Sequence, residues 1–200
     1  MRLPVATQPK SENDLCGYWS RIFDAEMENM ILEHTNTKLK VQIEAKILDK
    51  IELRAFFGIL IYSSVFKSNH EAAQFMFATD GTGREVFRAT MSKARFLSIL
   101  NCLRFDNCSD RKQRLLNDPL AAVSDMFNKF IENCRKSYSI GTHACIDEML
   151  VPFRGRCKFK IYMPMKPAKY GIKIMSLTDA RTQYPAFAYI YFRKTRMELV

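Results

Sequence analysis

His143-Ala144-Cys145-Ile146-Asp147-Glu148-Met149-Leu150-Val151 is where the hydrophobic period of this 200-residue chain changes. Upstream, apolar residues recur every three or four positions, as on one face of a helix. From here on they fall in short β-branched and aromatic runs, 143–151, 158–163, 170–177 and 186–192, separated by Pro, Gly and charge. Helical spacing stacks side chains on one stripe, whereas strand spacing sends neighbours to opposite faces. The chain is therefore read as α+β, a helical region followed by a small sheet. Asp147 stands inside the first strand, with Phe153-Arg154-Gly155-Arg156 just beyond it. A carboxylate fixed on a strand beside a cationic stretch suits a divalent ion and a phosphodiester better than a packed core.

Upstream, the clearest helix opens at Asp118 as cap and Pro119 as first helical residue. Leu120, Val123, Phe127, Phe130, Ile131 and Cys134 form its stripe, and it should stop between Ser137 and Gly141. The same spacing joins Phe23, Met27, Met30 and Ile31, and then Ile47, Ile51, Leu53 and Phe56 through Ile59. It returns in Phe96, Ile99, Leu100 and Leu103, with Ser92 as N-cap. Thr79 to Gly83 reads as a turn and Asp106 to Asn117 as a charged loop.

Downstream, Cys157, Phe159, Ile161 and Met163 fall on one strand face, and Lys158, Lys160 and Tyr162 on the other. One face packs and the other offers cations. Of the 31 Lys and Arg residues, eleven lie in 151–200 against two acids, which leaves 20 basic and 19 acidic groups for the first 150 residues. Such asymmetry points to a polyanionic partner, most commonly a phosphate backbone, although an acidic membrane surface fits the charge alone. Arg154, Arg156, Lys158, Lys160, Lys166, Lys169 and Lys173 are the candidate DNA-binding residues. They are interleaved with Phe153, Phe159, Tyr162 and Tyr170, rings that can stack on bases. A solvated sheet face above packed rings would use the same residue types. Pro164 and Pro167 stiffen the connection that carries Lys166.

Other function classes find less support. The longest apolar run, Ala55 to Tyr62, is far short of the roughly 20 residues that span a bilayer. The N-terminus has no apolar core of a signal peptide, and its first dozen residues are expected to fray. The six cysteines are scattered without a Cys-x-x-Cys pair, as reduced thiols of a cytosolic or nuclear protein would be. His34, His70 and His143 are too dispersed for a metal set, and Gly81-Thr82-Gly83 lacks the preceding strand of a dinucleotide loop. For Asp147 itself two readings stand side by side, a metal ligand or a solvated edge-strand carboxylate. Glu148 points to the opposite face.

Read as a string, Ile146 to Cys157 (Ile-Asp-Glu-Met-Leu-Val-Pro-Phe-Arg-Gly-Arg-Cys) followed by Tyr162 to Lys173 (Tyr-Met-Pro-Met-Lys-Pro-Ala-Lys-Tyr-Gly-Ile-Lys) strongly resembles the piggyBac transposase family. The likeness extends upstream through Phe87 to Ser92, Arg95-Phe96 and Leu103 to Asp106, and downstream to Leu177-Thr178-Asp179-Ala180. It covers about residues 50 to 194. The resemblance implies an RNase H-like catalytic domain of the DDE/DDD type over 141–200, preceded by a helical dimerisation and DNA-binding region over 16–140; residues 1–15 are expected to be disordered. It implies that Asp147 is the first of three catalytic aspartates that hold two divalent ions, Mg2+ or Mn2+. Family members cut and paste DNA through a hairpin intermediate at TTAA sites, in the nucleus.

The chain also departs from the family pattern. The second aspartate, in a motif like Asp-Asn-Trp-Phe-Thr, and the third lie beyond where Val200 stands, and Asp179 matches a different family position. The C-terminal cysteine-rich zinc domain of many members is absent, and Arg193 stands where the family usually has Gly. The expectation is thus a truncated piggyBac transposable element-derived protein that keeps DNA binding, with a possible homodimer and no membrane contact, but is inactive by itself. An alternative is a non-catalytic interaction module that binds itself or a full-length transposase.

Overall fold

The computed structural model describes residues 15–41, 46–68 and 71–192. Arg193, His70 and the first 14 residues lie outside them. The chain divides into two compact units, one from Ala25 to Ser109 and the other joining residues up to Asp24 with those from Asp110 onward.

The 25–109 unit is helical, as the periodicity requires. It comprises α2 (Ala25–Leu39), α3 (Lys50–Val65), α4 (Ala73–Met76), α5 (Glu85–Thr90) and α6 (Lys93–Cys102). Asp49 caps α3 by accepting from the Glu52 N–H, and Ser92 caps α6 through the Arg95 N–H, so two orphan donors of the first turns are satisfied. Met27, Ile31, Leu53, Phe56, Ile59, Phe87, Phe96 and Ile99 are buried between the helices. Each such side chain contributes about 1.5–3 kcal/mol on leaving water. Phe56, Phe96, Phe77 and Phe87 form a chain of tilted rings with centroids 5.4–5.6 Å apart. Buried Glu28 ties α2 to α3 by accepting from Arg54 at 2.7 Å and pairing with Lys50 at 2.9 Å. Burial pushes the Glu28 carboxyl up, but the hydrogen bonds from Arg54 and Lys50 outweigh it and hold the group below its ordinary value.

The other unit holds α1 (Leu15–Ile22), α7 (Arg111–Arg114), α8 (Ser124–Ser137) and four strands: β1 (Ala144–Pro152), β2 (Lys160–Tyr162), β3 (Tyr170–Asp179) and β4 (Pro185–Ile190). All pairings are antiparallel. β3 is central, with β1 along one side and β2 and β4 sharing the other. Gly171 makes the tight β1–β3 pairing possible, because a Cβ there would stand 2.3 Å from the Val151 carbonyl oxygen. α8 packs on β4, where Ala186, Ala188 and Ile190 alternate inward while Phe187 and Tyr189 face out. Asn133 of α8 donates to the Ile22 carbonyl and to Asp24, seating α1.

Several expectations need correction. The helix expected from Asp118 starts at Ser124. Asp118 instead closes a turn by accepting from the Leu120 N–H at 2.8 Å, and Arg114 Nη1 donates to the Ala121 carbonyl at 2.7 Å, occupying an acceptor that a continuous helix would use. The end at Ser137 falls where the sequence placed it. The 106–117 stretch is not all loop, since α7 forms within it. Lys158 and Phe159 lie in the turn ahead of β2, and burial alternates only in part, with Lys158 and Tyr162 exposed and Cys157, Phe159, Ile161 and Met163 partly covered, but Lys160 partly covered as well. Among the described residues no helix is long and apolar enough to cross a membrane.

Candidate functional site

Strand pleating divides the Ile-Asp-Glu motif between the two faces of the sheet. Asp147 lies opposite Ser176 in register, and Glu148 opposite Met175. Asp147 is exposed, and its Oδ1 accepts from the Glu148 N–H at 2.7 Å. Its backbone carbonyl accepts from Ser176 Oγ at 3.5 Å. The side chain is held at a defined place on the sheet while remaining open to solvent.

The seven cations expected to meet phosphate separate into two sets. Arg154, Arg156, Lys158 and Lys169 are exposed. They lie in the 153–159 and 163–169 connections, which leave and enter the sheet at one end because Pro152 pairs with Gly171 and the Phe153 N–H bonds the Tyr170 carbonyl. The other three are engaged. Lys160 Nζ donates to the Gly155 carbonyl at 3.0 Å and stands 6.0 Å from the Tyr170 ring centroid. Lys173 Nζ is 2.5 Å from Glu148 Oε2 and lies over the Tyr191 ring. Lys166 Nζ is 3.8 Å from Glu148 Oε1 and 3.4 Å from the Glu148 carbonyl. The hydrogen bond that Lys173 donates to the Glu148 carboxylate raises the Lys173 pKa. The residue types foreshadowed these lysines but not their partner, because the pairing depends on the β1–β3 register.

The aromatic residues sit close to the cations. Tyr162 and Tyr170 lie across the β2–β3 pair with ring centroids 4.8 Å apart, both exposed. A Cβ on Gly155 would stand 2.4 Å from the tip of the Phe153 ring, so a side chain there makes that ring move aside. The loop bearing Arg154 and Arg156 thus folds over its own phenylalanine.

Asp179 does different work, which the sequence reading did not anticipate. It is buried, and its carboxylate accepts from the backbone N–H groups of Gly141, Arg181 and Thr182 at 2.8–3.0 Å. It staples the β3–β4 turn to the segment entering β1. The Gly141 and Thr182 N–H groups hold its carboxyl far below the usual carboxylate range. Tyr138 stacks on Tyr184 next to it, at 4.5 Å between centroids.

The fit to a divalent metal is incomplete. A two-metal centre needs several hard oxygen ligands around ions about 4 Å apart. Among the described residues no group of three or more His, Cys, Asp or Glu side chains could hold an ion. Asp147 is one suitable oxygen ligand, while Glu148 is turned to the opposite face. These residues do not by themselves make the centre.

A family model described as Transposase IS4 matches residues 16–199. Among solved structures, the chain resembles a piggyBac transposase studied by cryo-EM in a synaptic complex with hairpin DNA, at 35% sequence identity and a TM-score of 0.83. The match covers 91% of this chain and 39% of that one, so the chain spans well under half the length of the transposase it resembles.

Proposed function

Because this chain belongs to the transposase IS4 family, in its piggyBac group, we propose that it binds DNA through phosphate contacts and carries the first catalytic carboxylate of a cut-and-paste transposase, Asp147. The reading is supported chiefly by the pairing of an open strand carboxylate with four solvent-facing cations, Arg154, Arg156, Lys158 and Lys169, in the two loops at the end of that strand. Cations free of internal partners are the ones a phosphate can claim without breaking an existing ion pair.

Transposases of this class use divalent metals, and Mg2+ or Mn2+ is the proposed ion here. One carboxylate does not hold two ions, so the described residues alone neither cut nor join DNA, and the remaining ligands come from outside them. An RNase H-like catalytic domain, TTAA-containing DNA as target, a homodimer as working unit and the nucleus as location complete the proposal, all through the family resemblance.

Binding of the purified chain to duplex DNA over a salt series tests this. Affinity should fall steeply with salt, by roughly 0.9 log units per tenfold salt for each phosphate neutralised. Joint charge reversal at Arg154, Arg156 and Lys158 should weaken binding to all sequences alike. Salt-independent binding, or none, would sink the reading.

A second reading, association through protein surfaces, is favoured by α3 and β1. α3 is apolar almost all round and leaves Ile51 82% and Val65 70% exposed. β1 pairs only with β3 among the described residues and leaves Ile146 75% exposed. Light scattering with and without DNA separates the two, since a dimer that ignores DNA supports the second.

A further inference from the structure

We infer that Glu148 is a positioning residue that keeps Lys166 and Lys173 away from DNA phosphates, so that these two do not share the phosphate contact made by Arg154, Arg156, Lys158 and Lys169. The inference rests on the DNA-binding reading above for its consequence, but its geometry stands on its own. Glu148 shares its sheet face with Lys173, whose register partner on β1, Leu150, is two residues from Glu148. Its two carboxylate oxygens point to different lysines, Oε2 to Lys173 at 2.5 Å and Oε1 to Lys166 at 3.8 Å, and its carbonyl accepts from Lys166 as well. One negative charge thus faces two positive ones. Four cations of the original seven remain solvent-facing.

The two lysines come from separate elements. Lys173 is in β3, and Lys166 is in the 163–169 connection, whose turn is closed by the Met163 N–H on the Lys169 carbonyl and the Lys166 N–H on the Met163 carbonyl. Glu148 therefore also anchors that connection to β1, which fixes where exposed Lys169 is presented. The two acidic residues of Ile146-Asp147-Glu148 acquire separate tasks on opposite faces: Asp147 is left open, while Glu148 shapes the electrostatic footprint. A phosphate approaching Lys166 or Lys173 must displace a carboxylate already in place, whereas one approaching Lys158 displaces only water and counterions.

Two measurements on the full chain test this. The first needs no DNA: brief labelling with dilute acetic anhydride, read by peptide mass spectrometry. Lys166 and Lys173 should acetylate several-fold more slowly than Lys158 and Lys169, and Glu148→Gln should narrow the difference, with the Tyr191 ring and the residue-148 carbonyl still in place. Equal rates in the parent would overturn the inference whether or not the chain binds DNA. The second is duplex binding over a salt series. Glu148→Gln should tighten binding by about two- to tenfold, as expected for releasing weak surface pairs, and steepen the salt slope by about one to two. Lys166→Met and Lys173→Met, which leave Glu148 intact, should be neutral in the parent yet weaken binding in the Glu148→Gln background. If Lys173→Met weakens the parent as much as Lys158→Met does, Lys173 already contacts phosphate and the inference fails. A parent that binds no DNA overturns the DNA-binding reading, while the acetylation rates still decide whether the lysines are masked.

Discussion

Arg95 of α6 closes a two-pronged fork on Glu52 of α3, with Nε to Oε1 and Nη2 to Oε2 both at 2.7 Å and both side chains largely covered. The same guanidinium donates to the Lys46 carbonyl at 2.7 Å, so one residue fixes α6, the start of α3 and the segment before it. Planar, bidentate geometry of this kind is beyond the reach of lysine. Arg95→Lys should therefore destabilise the chain, and Arg95→Met should cost about 1.5–3 kcal/mol by stranding Glu52. The double variant Arg95→Met/Glu52→Met should recover much of the loss, because no lone charge remains. Urea denaturation of the parent, Arg95→Met, Glu52→Met and the double variant completes the cycle, and strict additivity would contradict the coupling.

Asp179 predicts an acid limit to stability. Its folded carboxyl is depressed by three backbone N–H donors, so its stabilisation is present above the unfolded pKa of about 3.9 and fades as pH falls through the lower folded value. Asp179→Asn should lower the thermal midpoint at pH 7, and its difference from the parent should shrink as the pH drops below about 4. Melting curves from pH 7 to pH 2 check this. A deficit that stays constant across that range would mean the charge is immaterial and only shape matters.

The strands were legible in the sequence because runs rich in β-branched and aromatic residues over 143–151 and 170–177, bounded by Pro, Gly and charge, need no partner to be recognised, and Ser92 announced its helix by residue type alone. The start of α8 was not, because Asp118-Pro119 is a good local signal overridden by another local one, the Arg114 guanidinium on the Ala121 carbonyl seven residues on. The cation-rich segment was visible as composition, but its division into exposed and engaged groups was not. The register of β1 against β3 sets Lys173 beside Glu148, and the turn of the 163–169 connection brings Lys166 to the same carboxylate. Asp179 was invisible for a related reason, since its partners Gly141 and Thr182 come from segments far apart in the chain, the one entering β1 and the β3–β4 turn.

Gly171 should tolerate no side chain. The 2.3 Å approach to the Val151 carbonyl is to backbone on the adjacent strand, which cannot swing aside as a flexible side chain would. Gly171→Ala should destabilise the chain by about 1–3 kcal/mol through forced separation of β1 and β3. Hydrogen exchange should localise the loss to amides of 149–152 and 170–173. A variant as stable as the parent, with unchanged protection there, would show that the strands can part without cost.

Asp147 should behave in the opposite way. Its side chain is exposed, and among the described residues its carboxylate accepts from the amide of the next residue rather than from a distant element, so the packing does not depend on its charge. Asp147→Asn, nearly the same shape, should leave unfolding free energy within about 0.5 kcal/mol of the parent, the range expected for a surface change without a special partner. A carboxylate that served the fold would be destabilised on neutralisation, as Asp179 should be; one that serves chemistry is silent in stability and decisive in activity. In a complete piggyBac-type transposase carrying this segment, the same substitution should therefore abolish strand cleavage while leaving salt-dependent DNA binding intact. Loss of folding on Asp147→Asn, or full cleavage activity with it, would each remove Asp147 from the catalytic role.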